Sequence, residues 1–197
     1  MYRLLLDSSD TNLIVGISLG DKIVYRYFEY AWQRQSEFMI PVIEKALKEC
    51  NIALKDINQV VLGIGPGSYT GVRIPLTIAK VLNASEGIEV VGLSSLQILG
   101  NKNEKFIALL NARSARSYIG IYADGKPVLS DTIIENVKLE EFLKPYLEDG
   151  YVLKGNLTYL RKENTVDEKV LDNMLSHALE SKVVENVDGL CPVYLKE

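Results

Sequence analysis

The sequence predicts an α/β fold made of two lobes that repeat one order of elements, βββαβαβα. Three features point to it: a strand meander opening each half, a helix with one apolar stripe after each meander, and a polar break between the halves. In the first half, Tyr2 to Leu6, Leu13 to Leu19 and Lys22 to Tyr30 read as strands, separated by Asp7-Ser8-Ser9-Asp10 and by the Gly20-Asp21 hairpin signal. A helix follows from Ser36, its expected N-cap, to Cys50, with Met39, Val42, Ile43, Ala46, Leu47 and Cys50 on one stripe. Pro41 lies one turn in and predicts a bend. Gln59 to Ile64 is a strand, Gly65 to Gly71 a glycine-rich turn, and the next helix runs to Ala84. A strand at Glu89 to Gly92 and a short helix capped by Ser94 complete the half.

Gly100 to Glu104 is polar and marks the expected boundary, giving lobes 1–100 and 101–197. The second lobe repeats the meander at Lys105 to Asn111, Ser117 to Ala123 and Pro127 to Glu135. A helix at Leu139 to Tyr146, a strand at Tyr151 to Leu153 and a helix at Glu168 to Lys182 follow. This lobe is shorter and divergent. Pro192-Val193-Tyr194 reads as a tail folding back onto a lobe.

Composition narrows the function classes. The chain has 197 residues, 47% of them hydrophobic and 24% charged, with 14 glycines and 6 prolines, which is ordinary for a globular domain and excludes fibrous or disordered classes. Lysine and arginine total 22 against 26 acids, a net charge of −4, so no broad positive field draws nucleic acid directly. Cys50 and Cys191 have no ligand spacing, which predicts a reducing compartment and no structural metal. Asp7 interrupts the N-terminus too early for a signal peptide and no run is long enough to span a bilayer, so a cytoplasmic location is expected.

The strongest local signal is Gly63 to Arg73, GIGPGSYTGVR. Gly65, Gly67 and Gly71, with Pro66, Ser68, Tyr69 and Thr70 between them, form a turn from strand to helix, where backbone N–H groups can hold an anion. The Walker lysine is missing, because Gly71-Val72 stands in its place, and no dinucleotide fold starts after βββα. The alternative is that the glycines only shape a tight turn.

The helix after the turn is apolar nearly all round, leaving Arg73, Thr77, Lys80 and Asn83 as a narrow polar stripe, so it needs cover beyond its own sheet. Cover could come from within the chain. A partner could supply it instead, meeting Phe38, Met39, Val42, Ile43 and Ala46 on the first helix and Val72, Ile74, Pro75, Ile78 and Leu82 on the second.

No catalytic constellation assembles. His177 is the sole histidine and reads as a packed or surface residue. Asp7, Ser8, Ser9 and Thr11 stand where a two-lobed ATPase has a phosphate loop and are the cofactor-binding candidates. The matching turn of the second lobe, Asn111-Ala112-Arg113-Ser114, lacks an acid and a glycine. Leu153-Lys154-Gly155-Asn156 has one glycine where an adenosine site needs a pair. Half of a phosphate and Mg²⁺ clamp is missing.

LLLDSSD at Leu4 to Asp10, RQSE at Arg34 to Glu37, GIGPGSYTGVRI at Gly63 to Ile74, VVGLSSL at Val90 to Leu96 and PVYLK at Pro192 to Lys196 resemble the bacterial TsaB (YeaZ) family. The resemblance implies an actin-like ATPase fold (ASKHA, ribonuclease H-like) that has lost catalysis. It further implies support of the catalytic paralogue TsaD, with the ATPase TsaE, in making N6-threonylcarbamoyladenosine at position 37 of tRNAs that read codons starting with A. Pairing through the two helices, as a homodimer alone or a heterodimer with TsaD, is implied too. So is contact with tRNA only through the complex, no cofactor of its own, and ATP or ADP only within the assembly. Gln35 stands where the family has histidine, and Pro75 where it has glycine, which is expected to cost helix regularity. The alternatives are an active phosphotransferase or ATPase of the same fold and, further off, a peptidase of the glycoprotease family.

Overall fold

The structure, a computed structural model, describes residues 1–195. The first sheet has the order β3-β2-β1-β4-β5, from β1 (Tyr2–Asp7), β2 (Asn12–Leu19), β3 (Lys22–Tyr30), β4 (Ile57–Gly63) and β5 (Glu89–Leu93). β2 runs antiparallel to both its neighbours, while β1, β4 and β5 are parallel. The second sheet, β8-β7-β6-β9, repeats that order one strand shorter, with β6 (Phe106–Arg113), β7 (Arg116–Ala123), β8 (Lys126–Glu135) and β9 (Val152–Lys154).

Alternation along β1 explains why its apolar run is unbroken. Leu4 and Leu6 face a core completed by Met39, Val42, Ile43 and Ala46 of α1 (Gln35–Glu49) and by Leu76, Ala79 and Leu82 of α2 (Arg73–Glu86). Leu5 faces the opposite side, where Leu171, Met174 and Leu175 of α4 (Val170–Ala178) cover the sheet. A strand buried on both faces has no room for polar alternation. Gly16 on β2 lets α4 approach: a Cβ there would stand 2.7 Å from Leu171.

The helix after β9 follows the second lobe in sequence but packs on the first. One face of the second sheet is filled by α3 (Leu139–Glu148), through Leu139 and Leu143. Its other face, Phe106, Ala108, Leu110 and Tyr122, is taken by Leu96 and Leu99 from the segment leaving β5. That leaves the back of the first sheet for α4. His177, buried on α4, places Nε2 3.1 Å from the Gly100 carbonyl and ties α4 to the segment between the sheets.

Several local expectations change. Ser36 is not a cap: α1 starts at Gln35, with Arg34 before it and no side-chain cap bond. The helix continues through Pro41, which is exposed along with Glu37, so water can serve the carbonyl that loses its helical donor. Pro75 costs no helical hydrogen bond, because it is the third residue of α2 and the first-turn N–H groups have no intrahelical acceptor. The short helix after β5 is one 3-10 turn, Gln97–Leu99, and Ser94 Oγ does accept the N–H groups of Leu96 and Gln97. α4 ends at Ala178, short of Lys182.

The tail does fold back. Val184 N–H donates to Val90 O at 2.8 Å and Val193 N–H to Ile64 O at 2.7 Å, while Val187 is buried beside α2. Lys196, the last residue of the PVYLK motif, lies outside the described residues.

Candidate functional site

Two neighbouring features make up the site: a cleft between the sheets and an apolar face on α1 and α2. The glycine turn joins them.

The turn is seated on the loop after β1 by a dense set of bonds. Ser68 N–H donates to Ser9 O at 2.7 Å, and Ser8 Oγ donates to Gly71 O at 2.7 Å. Gly65 is held reciprocally by Ser95, donating its N–H to Ser95 Oγ at 3.0 Å and accepting Ser95 N–H at 2.9 Å. A Cβ on Gly67 would lie 2.4 Å from Ser9 O, and one on Gly71 2.0 Å from Ser8 O. Backbone contact, then, requires both glycines. Gly71→Ala is expected to destabilise the fold by at least about 1–3 kcal/mol, since one backbone must move off another. Urea midpoints of the two proteins check this.

The predicted phosphate-loop residues are brought together, but most of their polar groups are consumed within the chain. Asp7 is buried, with Oδ2 accepting Ser9 N–H at 3.1 Å and Ser9 Oγ at 3.0 Å. Its Oδ1 has no partner and lies where a Cβ on Gly63 would be. Desolvation outweighs the two serine bonds and pushes the carboxyl up to about 6. Ser8 is fully buried. Of the four, Ser9 and Thr11 line the cleft, a cavity of about 560 Å³, whose other walls include Trp32, Tyr118, Tyr159, Asn156 and Arg113. Among the described residues no group of three His, Cys, Asp or Glu side chains is placed to hold a metal ion.

The residues expected to meet a partner divide in two. Met39, Val42, Ile43, Ala46, Val72, Pro75 and Leu82 are buried within the chain. Phe38, Ile74 and Ile78 are half-buried and reach the surface, joined by Ile40 at 48% and Val81 at 58% exposure. Ile40, Ile74 and Ile78 line a shallow apolar hollow of about 410 Å³ between the helices, with Arg73 as its only charged lining residue.

The tail supplies part of the cover that α2 demands. Lys80 Nζ donates to Asp188 O at 2.7 Å, so the polar stripe of α2 grips the tail. Arg73 stacks on Tyr69 at 3.8 Å and donates from Nε to Tyr194 Oη at 2.6 Å, and the two tyrosine rings stack at 5.4 Å. Sequence reading missed Ser95, Asn156, Tyr194 and Asp131 as structural partners. VVGLSSL singles out the serines, but nothing local names the groups they meet.

Two mixed sheets of order 3-2-1-4 with a cleft between them form an actin-like fold (ASKHA, ribonuclease H-like). Residues 29–182 match the sequence model of a family described as "TsaD: tRNA N6-adenosine threonylcarbamoyltransferase". The chain is 30% identical to the tRNA threonylcarbamoyladenosine biosynthesis protein TsaB of Bacillus subtilis, over 100% of this chain and 94% of that one. It is 28% identical to TsaB of Buchnera aphidicola from Schizaphis graminum, over 74% of each. YeaZ from Pseudomonas aeruginosa shares the fold with a TM-score of 0.81 at 21% identity, over 98% of this chain and 99% of that one. The chain belongs to the TsaB (YeaZ) family. No helix among the described residues is long and apolar enough to cross a membrane.

Proposed function

We propose that this chain is a non-catalytic subunit in the synthesis of N6-threonylcarbamoyladenosine at position 37 of tRNAs that read codons starting with A. Its task is to pair with a TsaD-type catalytic paralogue, together with a TsaE-type ATPase, and it forms a homodimer when alone. It reaches tRNA only through the complex and carries no cofactor of its own, ATP or ADP being bound only within the assembly. The observation that carries this reading is the apolar face formed by exposed Ile40 and Val81 with half-buried Ile74 and Ile78, which the tail leaves open. The names of the relatives supply the pathway. The sealed Asp7 and the intrachain bonds of Ser8 and Ser9 favour a scaffold over a phosphotransferase.

The test is light scattering behind size exclusion, on the chain alone and with its TsaD-type partner, followed by tRNA modification with the assembled proteins. A homodimer that yields to a heterodimer, with modification lost when the chain is omitted, is the expected result. A monomer that ignores the partner, or nucleotide turnover by the isolated chain that Asp7→Ala removes, would replace this reading with that of an active ATPase.

A further inference from the structure

The two sheets meet on a packed floor and again at a rim. On the floor, Leu96 and Leu99 fill the face of Phe106, Leu110 and Tyr122, and Ser94 and Tyr122 both donate to Asp131. A floor contact alone leaves two bodies free to rock. At the opposite rim, Asn156, just beyond β9, donates from Nδ2 to Asp10 Oδ2 at 3.1 Å and to Thr11 Oγ1 at 3.3 Å. Thr158 Oγ1 donates to Asn156 Oδ1 at 2.8 Å, which fixes the face of the amide and aims its NH₂ at the first lobe. The backbone beneath is held as well. Gly155 has φ +135 and lies so close to Leu109 O that a Cβ would be 2.0 Å away, and it is bonded on both sides to Thr165.

The same aspartate is held from its other side. Gln35, the first residue of α1 and 5% exposed, donates from Nε2 to Asp10 O at 2.9 Å. The position where the resemblance leads one to expect histidine thus carries an amide, which holds its donor at any pH between acid and base extremes. Asp10 sits between an outer helix and the far lobe, joined to the far lobe by a charge-assisted bond, the stronger class of hydrogen bond.

We propose that Gln35, Asp10 and Asn156 form a built-in latch that fixes the separation of the two lobes and ties it to α1, so that the cleft keeps one width without a bound group to bridge it. In two-lobed nucleotide enzymes a ligand spanning the cleft commonly sets that width; here the chain bonds to itself across the rim. The consequence reaches the apolar face. Gln35 opens α1, the helix that carries Ser36 and Ile40 of the apolar hollow, so a partner on α1 meets a surface whose position relative to the second lobe is set in advance, which lowers the ordering cost of docking. This inference does not depend on the tRNA reading.

The test uses the full chain with Cys50 and Cys191 replaced by serine and spin labels at Lys48→Cys on α1 and Val137→Cys in the second lobe, both exposed positions. Pulsed electron paramagnetic resonance is expected to give one narrow distance for this parent, unchanged by Mg²⁺ and ADP. Asn156→Ala and Gln35→Ala should each broaden it toward longer distances. Asn156→Asp, which sets a carboxylate against that of Asp10, should move it furthest. Thr158→Val keeps Asn156 but frees its amide, so a smaller shift of the same sign is expected even if the aspartate variant fails to fold. Folded Asn156→Ala and Thr158→Val proteins with the parent distribution would overturn the latch. A shift of the parent on adding Mg²⁺ and ADP would overturn it too, because the lobes would then be moving about a ligand.

Discussion

A chain carrying Ile78→Asp is expected to fold as the parent does and to elute as a monomer that no longer pairs with a TsaD-type protein, whereas Met39→Asp is expected not to fold. Both side chains belong to the helix pair, and the sequence gives no means of separating them. Burial does. Ile78 is half-buried on the outward ridge of α2, so an aspartate there keeps its water in the free chain. Pairing would strip that water, and an unpaired charge buried in an interface costs about 3–5 kcal/mol, or roughly two to four decades in Kd. Met39 has no exposed surface and sits under α1 against the first sheet. Removing its packing costs about 2–5 kcal/mol and burying the charge several more, together comparable to the whole stability of a domain, about 5–15 kcal/mol. Circular dichroism melts and light scattering distinguish the two effects. Parent-like pairing by a folded Ile78→Asp protein would remove α2 from the interface.

Elements were legible where the signal was local. The three opening strands, the Gly20 hairpin and the apolar stripe of α1 each follow from residues a few positions apart, and the structure has them within one or two residues of expectation. The glycine turn was legible in outline: a tight turn from strand to helix was predicted, but not that Gly67 and Gly71 lie against the backbone of Ser8 and Ser9. What was illegible was long-range. That α2 needs a second cover followed from its composition; that residues 184–194 supply part of it depended on Lys80 meeting Asp188 and Arg73 meeting Tyr194, contacts across more than a hundred residues. α4 was placed in the second lobe by its order in the chain, yet its apolar face goes where unpaired apolar surface remains, the back of the first sheet. Pro75 was charged with a cost that applies inside a helix and vanishes in the first turn. Asn156 looked like half of a missing glycine pair, and its partner, Asp10, lies 146 residues away.

Asp7→Asn is expected to change how stability depends on pH, and the sign follows from the direction of the shift. The native carboxyl is raised from 3.8 to about 6 by desolvation, so between those values the folded chain binds more protons than the unfolded one. Stability therefore falls as pH rises through this window and stays at the lower level above it. Two units correspond to about 3 kcal/mol, at about 1.36 kcal/mol per unit. Asparagine cannot ionise and removes the slope. Its oxygen can keep both Ser9 donors, but its NH₂ then puts two N–H donors at the site of the unpartnered Oδ1, where the neutral acid has one O–H, and each further buried unsatisfied donor costs about 1–3 kcal/mol. The variant is expected to be less stable than the parent near pH 4, where Asp7 is already neutral, and to gain on it steadily up to pH 6. His177 works in the opposite sense: burial lowers its pKa, so stability is lost as pH falls below its unfolded value. It is present in both proteins and cancels in their difference. Urea unfolding of the pair at pH 4, 5, 6 and 7.5 measures that difference, and parallel curves would show that Asp7 is ionised without penalty. The functional counterpart is that a carboxylate sealed under the glycine turn should be dispensable to a scaffold: Asp7→Asn is expected to pair with the TsaD-type protein and to support tRNA modification at the parent rate. Loss of modification with pairing intact would instead assign the carboxylate to nucleotide chemistry in the assembled complex.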